Sequence, residues 1–167
     1  MFFRKKAPEK PETGIDLVER LVANHLPDEE QDTRAIVVAI AGLLAGVAYA
    51  DRSYGEAEQA HVREALGRIH ALSAAGADAI CAALRQHLLA IAAINPQRHT
   101  RALRELADSE LRHEVLDALV DLAAADGELA MAETELLRRT ASALGLDQNA
   151  YVQAQARHRE RLSVLKR

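Results

Sequence analysis

The sequence predicts an all-α fold, and three observations carry that prediction. Hydrophobic residues make up 49% of the 167 positions while aromatics supply 3% and tryptophan none, so the core must be built from Leu, Ala, Ile and Val, a composition that favours helices. Four prolines and eight glycines are too few to punctuate a sandwich of short strands. Apolar residues recur every third or fourth position, and no run alternates polar with apolar as a half-buried strand would. The expected architecture is a compact bundle of seven to eight helices around a buried central one. It forms one domain over residues 15–167, behind a flexible basic tail at residues 1–14.

The tail, MFFRKKAPEKPETG, has no apolar run that would serve as a signal peptide. Its two phenylalanines beside Arg4, Lys5 and Lys6 make Met1–Lys6 at most a weak, reversible contact for an anionic membrane surface. A first helix is expected over Ile15–Leu26, with Ile15, Val18, Leu21, Val22 and Leu26 on one face and Pro27 stopping it. Asp32 or Thr33 opens the second. Its run Ala35–Ala50 holds no charge, yet is shorter than the roughly 20 residues a bilayer requires, and a helix apolar all round belongs in a core. Gly42 and Gly46 within it let another helix approach closely.

Ser53 with Glu56 fits a capping box, which starts the third helix near Tyr54 and carries it to about His70 through Val62, Leu66 and Ile69. A fourth is expected over Ala74–Ile94, with Ile80, Leu84, Leu88 and Ile91 on one face. Asn95 followed by Pro96 is an N-cap and a first-turn proline, starting a fifth helix that ends near Ala107. Asp108 or Ser109 caps the sixth, which turns Leu111, Val115, Ala118, Leu119 and Leu122 inward and carries Glu114, Asp117 and Asp121 on an adjoining stripe. The seventh runs from Met131 to Leu144 and stops at Gly145, a good C′ residue. Asp147 or Asn149 opens the eighth, whose charged end RHRERLSVLKR is expected to be solvated.

Part of the chain repeats at an offset of 75 positions (126 − 51 and 133 − 58 agree). Leu44, Ala48, Ala50, Asp51, Ala57, Glu58 and Arg63 recur as Leu119, Ala123, Ala125, Asp126, Ala132, Glu133 and Arg138. The alanine matches weigh little in so alanine-rich a chain, but an aspartate and a glutamate matching together weigh more. Segments 35–69 and 111–144 are therefore expected to form two similar helical hairpins related by an approximate twofold axis. Gly42 and Gly46 align with Asp117 and Asp121, which predicts an enclosed first copy and an exposed acidic side on the second.

Composition excludes several classes of function. Cys81 is the only cysteine, so neither an internal disulfide nor a thiolate metal site can form within one chain, and a reducing compartment is expected. It reads as a small core residue. A net charge of −4 with interspersed signs gives no footprint for nucleic acid. Nucleophile-elbow, zinc-protease and phosphate-loop motifs are missing. Two E-x-x-H spacings, Glu58 to His61 and Glu110 to His113, match what chance supplies among seven histidines and fifteen glutamates. DGELAMAE imitates the second half of an EF-hand loop, but Leu122 and Ala124 would occupy its first two ligand positions.

The two A-D-x-x-x-x-x-x-E units, Ala50-Asp51 to Glu58 and Ala125-Asp126-Gly127-Glu128 to Glu133, each follow an apolar helix and precede an amphipathic one. In this they resemble the tellurite-resistance TerB family, over about Ile15 to Tyr151. A similar domain precedes the J-domain in membrane-anchored DnaJ-like co-chaperones. The resemblance implies an all-helical module of a stress-response system whose acidic residues hold a divalent cation, a class rather than a reaction; with no catalytic motif in the chain, no enzymatic activity is expected. Carried over residue by residue, it puts Asp51 and Glu58 in one half-site and Asp126 and Glu133 in the other, for Ca²⁺, Mg²⁺ or Mn²⁺. Arg52 stands where the second unit has Gly127, and its guanidinium is placed to neutralise the carboxylates instead.

Two readings of these acids stay open. In one they are helix caps and dipole partners; in the other they converge on a cation. The function expected is that of a cytoplasmic module binding a partner protein and a divalent cation through the paired acids. The alternative is a protein-interaction adaptor of co-chaperone type, without a metal, at the inner face of the membrane.

Overall fold

The structure is a computed structural model and describes residues 10–50, 54–127 and 129–166. Among these residues eight helices follow one another without a strand: α1 (Gly14–His25), α2 (Gln31–Ala50), α3 (Glu56–Gly67), α4 (Ala74–Ala92), α5 (Pro96–Leu106), α6 (Ser109–Ala123), α7 (Met131–Ala143) and α8 (Gln148–Leu165). The expected helices are all present, and most start where a short polar side chain satisfies a free backbone N–H. Ser73, Asn95, Asp108 and Asp147 accept from the N–H groups of Gly76, Gln97, Leu111 and Ala150. Pro96 fills the first turn of α5. Gly145, at φ +72°, ends α7 in the left-handed conformation that a β-carbon disfavours.

Several boundaries differ from expectation: α2 opens at Gln31, ahead of Asp32 and Thr33, α4 ends at Ala92 and not Ile94, and the start of α1 and both ends of α3 also move. Thr13 and Asp16 form a reciprocal capping box, so α1 begins at Gly14 and takes in residues assigned to the tail. Met1–Glu9, and with them the membrane contact expected of Met1–Lys6, lie outside the described residues. The N-cap of α3 is Gly55, and the carboxylate that closes the turn belongs to Glu58, not Glu56; Ser53 is outside the described residues. Helix α3 ends at Gly67, and two successive i→i+3 bonds, from Arg68 and Ile69 back to Ala65 and Leu66, turn the chain before His70.

Helix α2 is the centre of the bundle, packed by α1, α4, α5 and α6. Its length and composition alone would suit a membrane span. Here Val37, Val38, Ile40, Leu43, Leu44 and Val47 are all buried in the core. Gly42 is required: a β-carbon there would collide with the imidazole of His99 from α5. Gly46 is not in that position, since a β-carbon there would meet nothing within 4 Å.

The 75-residue repeat reappears in packing. Leu44 and Leu119, Val47 and Leu122, Ala48 and Ala123 are buried in pairs on α2 and α6. So are Val62 and Leu137, and Ile69 and Leu144, at or just beyond α3 and α7. The copies part where the alignment places Gly42 and Gly46 against Asp117 and Asp121. Over the first copy α5 lays His99 on a glycine; over the second, α8 lays arginines on two aspartates. The acidic stripe of α6 is therefore covered, contrary to expectation: Asp121 is only 8% exposed. Of the charged end of α8, Arg157, His158 and Arg161 dock on this stripe, while residues 162–166 are exposed as expected.

Candidate functional site

Each repeated glutamate is held by the same local device. Glu133 Oε2 accepts the N–H of Ala130 at 2.7 Å, and Glu58 Oε2 accepts that of Gly55 at 2.8 Å. Neither Gly55 nor Ala130 has a side chain able to cap, so the glutamate three residues on reaches back to close the first turn, where the helix dipole favours its charge. Asp126 is exposed in the turn that follows α6, and Gly127 beside it takes φ +134°, a conformation L side chains rarely adopt. Asp51 and Arg52 lie outside the described residues. Glu58, Asp126 and Glu133 do not by themselves bring three ligand atoms together.

The described residues do bring together His70, Glu110 and Glu114, one ligand atom from each lying within 4.8 Å of the others. A histidine with two carboxylates suits a first-row transition metal better than calcium. Glu114, however, already spends both oxygens on a tie between the end of α3 and α6, accepting the backbone N–H of His70 at 3.1 Å and meeting its Nδ1. That hydrogen bond, with the carboxylate charge behind it, holds the His70 pKa above the ordinary imidazole value. The tie accounts for the cluster without an ion. Sequence spacing offered Glu110 with His113 instead, but His113 Nδ1 turns to the backbone carbonyl of Ser109 at 2.7 Å.

The densest charge constellation escaped the sequence reading. Asp121 receives Arg68 Nη2 from just beyond α3 at 2.5 Å, and His158 Nδ1 at 2.6 Å and Arg161 Nη2 at 2.5 Å from α8. One turn earlier Asp117 takes Arg157 in a bidentate pair, at 2.8 and 2.7 Å. Burial pushes the Asp121 pKa up, but hydrogen bonds from Arg161, His158 and Arg68 and the Arg161 charge outweigh it, and the net shift is downward. The signal available was complementary spacing. Asp117 and Asp121 are one turn apart, as are Arg157 and Arg161, but nothing local said that these helices meet.

A cleft of about 470 Å³ lies between α1, α2 and α5. Its cations are engaged: Arg34 donates to the carbonyls of Leu26 and Pro27, and Arg98 to Glu19 at 3.3 Å. His99 on its wall is buried, which with the Arg98 charge lowers its pKa to about 4 and leaves it neutral at pH 7. Half-buried Cys81 has a thiol pushed up by desolvation, the opposite of an activated nucleophile.

Fold and site together define a class: a helical module built on two related helix pairs, each second helix opened by a back-reaching glutamate. The model of the family described as tellurite resistance protein TerB matches residues 37–156, most of the chain, and the protein belongs to that family. Searches of curated proteins and of solved structures return no match.

Proposed function

We propose that this chain is a non-enzymatic, cytoplasmic module of a stress-response system of the tellurite-resistance type, binding a partner protein and, weakly, a divalent cation. The cation reading assigns Asp126 and Glu133 as the principal ligands, with Asp51 and Glu58 in support. The observation that carries it is the capping device repeated at Glu58 and Glu133, which fixes a carboxylate in the first turn of α3 and of α7. A hard cation such as Ca²⁺, Mg²⁺ or Mn²⁺ suits an all-oxygen set.

Titrating these ions into the wild type should raise the melting temperature once concentration passes Kd. The gain corresponds to about 2.7 kcal/mol at a hundredfold excess if the unfolded chain does not bind. Chelation should reverse it, and Asp126→Asn combined with Glu133→Gln should abolish it; glutamine can still close the capping turn, so the variant keeps its helix. No shift in the wild type, or equal shifts in both proteins, would leave the acids as caps and put the metal-free adaptor in front. A Zn²⁺ response shared by both proteins but lost in His70→Asn would place the ion at His70, Glu110 and Glu114.

A further inference from the structure

Helix α8 is held in two different ways along its length. Its first half is anchored by burial of Ala150, Tyr151 and Ala154, with Arg138 of α7 stacked 5.5 Å over the tyrosine ring. Beyond Ala154 no described residue of the helix is buried, and Leu162, Val164 and Leu165 are exposed. What fastens this second half to other helices is polar: ion pairs from Arg157 to Asp117 and from Arg161 to Asp121, and a hydrogen bond between His158 Nδ1 and Asp121. Segments with few buried apolar contacts open at far lower free energy than the core they rest on. Partly exposed ion pairs are also the interactions that salt weakens.

We infer that residues 157–165 are an ionic strap that lifts while the rest of the domain stays folded. Lifting it uncovers a strip of α6, bearing Asp117 and Asp121, that accepts an arginine-bearing helix of a partner protein. The occupant's chemistry is set by complementarity. Two carboxylates one helical turn apart match two guanidinium groups at the same spacing, as Arg157 and Arg161 demonstrate within the chain. Release leaves Arg68 as the cation still facing Asp121 among the described residues. Identification of the occupant rests on the partner-binding reading above; release of the strap does not.

Two measurements on the intact chain separate these claims. Backbone amides of residues 157–165 should exchange with solvent at least about a hundredfold faster than those of α2, and severalfold faster again at about 1 M NaCl than at low salt. The Arg157→Glu variant, which sets a glutamate against Asp117, should show the fast rate already at low salt, with α2 unchanged. Exchange at 157–165 that tracks α2 in every condition would overturn the strap. A labelled peptide of residues 148–166 should then bind Arg157→Glu about tenfold or more tighter than the wild type, whose own strap competes. Equal or undetectable binding to both would overturn the docking strip while leaving the strap, and the cation reading, standing.

Discussion

Replacing Leu44 by alanine is expected to lower the free energy of unfolding by about 2–5 kcal/mol. Leu44 sits near the middle of α2, 1% exposed, where α2 is packed by four other helices. The lost methyl groups forfeit their transfer free energy, and a cavity remains because helices crowded on several sides relax little. Against a total of about 5–15 kcal/mol for a domain, that is a large fraction. Leu89→Ala, at a side chain 69% exposed on α4, serves as control and should change stability by no more than about 0.5 kcal/mol. Urea unfolding of the pair checks it. Similar midpoints would mean that α2 is not the structural centre.

Removing the charge hub should cost nearly as much. Asp121→Ala is expected to destabilise by roughly 3 kcal/mol, the lower end of the range for breaking a buried pair, because Arg68 and Arg161 can turn toward water. The pH dependence follows from the downward pKa shift of Asp121. A carboxylate held below its unfolded value contributes stability fully present above that value, near pH 4, and lost as pH falls through the folded one. The gap between wild type and Asp121→Ala should therefore be present above about pH 4, the unfolded value, and narrow as pH falls below it and the folded carboxylate takes up its proton. Thermal melts across that window test the sign. A gap that widens in acid would show that the carboxylate is not what the surrounding cations stabilise. The groups facing it are Arg68 beyond α3 and His158 and Arg161 on α8.

The helices were legible because their determinants are local. Asn95-Pro96, Asp108, Asp147 and Gly145 act within one turn of themselves, and each does in the structure what its chemistry predicts. The burial of α2 was legible for a related reason: a helix with no polar face has only the interior to go to. Where two local devices competed, the sequence misled. Ser53 with Glu56 fits the capping-box pattern and Gly55, with no side chain, does not, yet the turn is closed by Glu58 reaching back to the N–H of Gly55.

Everything that required two distant segments to meet was decided in three dimensions. Asp117 and Asp121 looked like a solvated stripe because a charge on a helix surface carries no record of what will cover it. They became an internal anchor once α8 packed back on α6. Gly42 was singled out for close approach, but that its occupant is the His99 ring, while Gly46 has no such neighbour, followed from the placement of α5. The acids that the repeat brought to notice, Glu58 and Glu133, were found by their spacing; the cluster of His70, Glu110 and Glu114 was not, because the histidine joins the pair only where the chain beyond α3 meets α6. Hydrophobic periodicity and capping are properties of neighbours in the chain, whereas ion pairing and ligand geometry are properties of neighbours in space. One sequence therefore specified its helices and its centre, and left the partners of its charges to the packing.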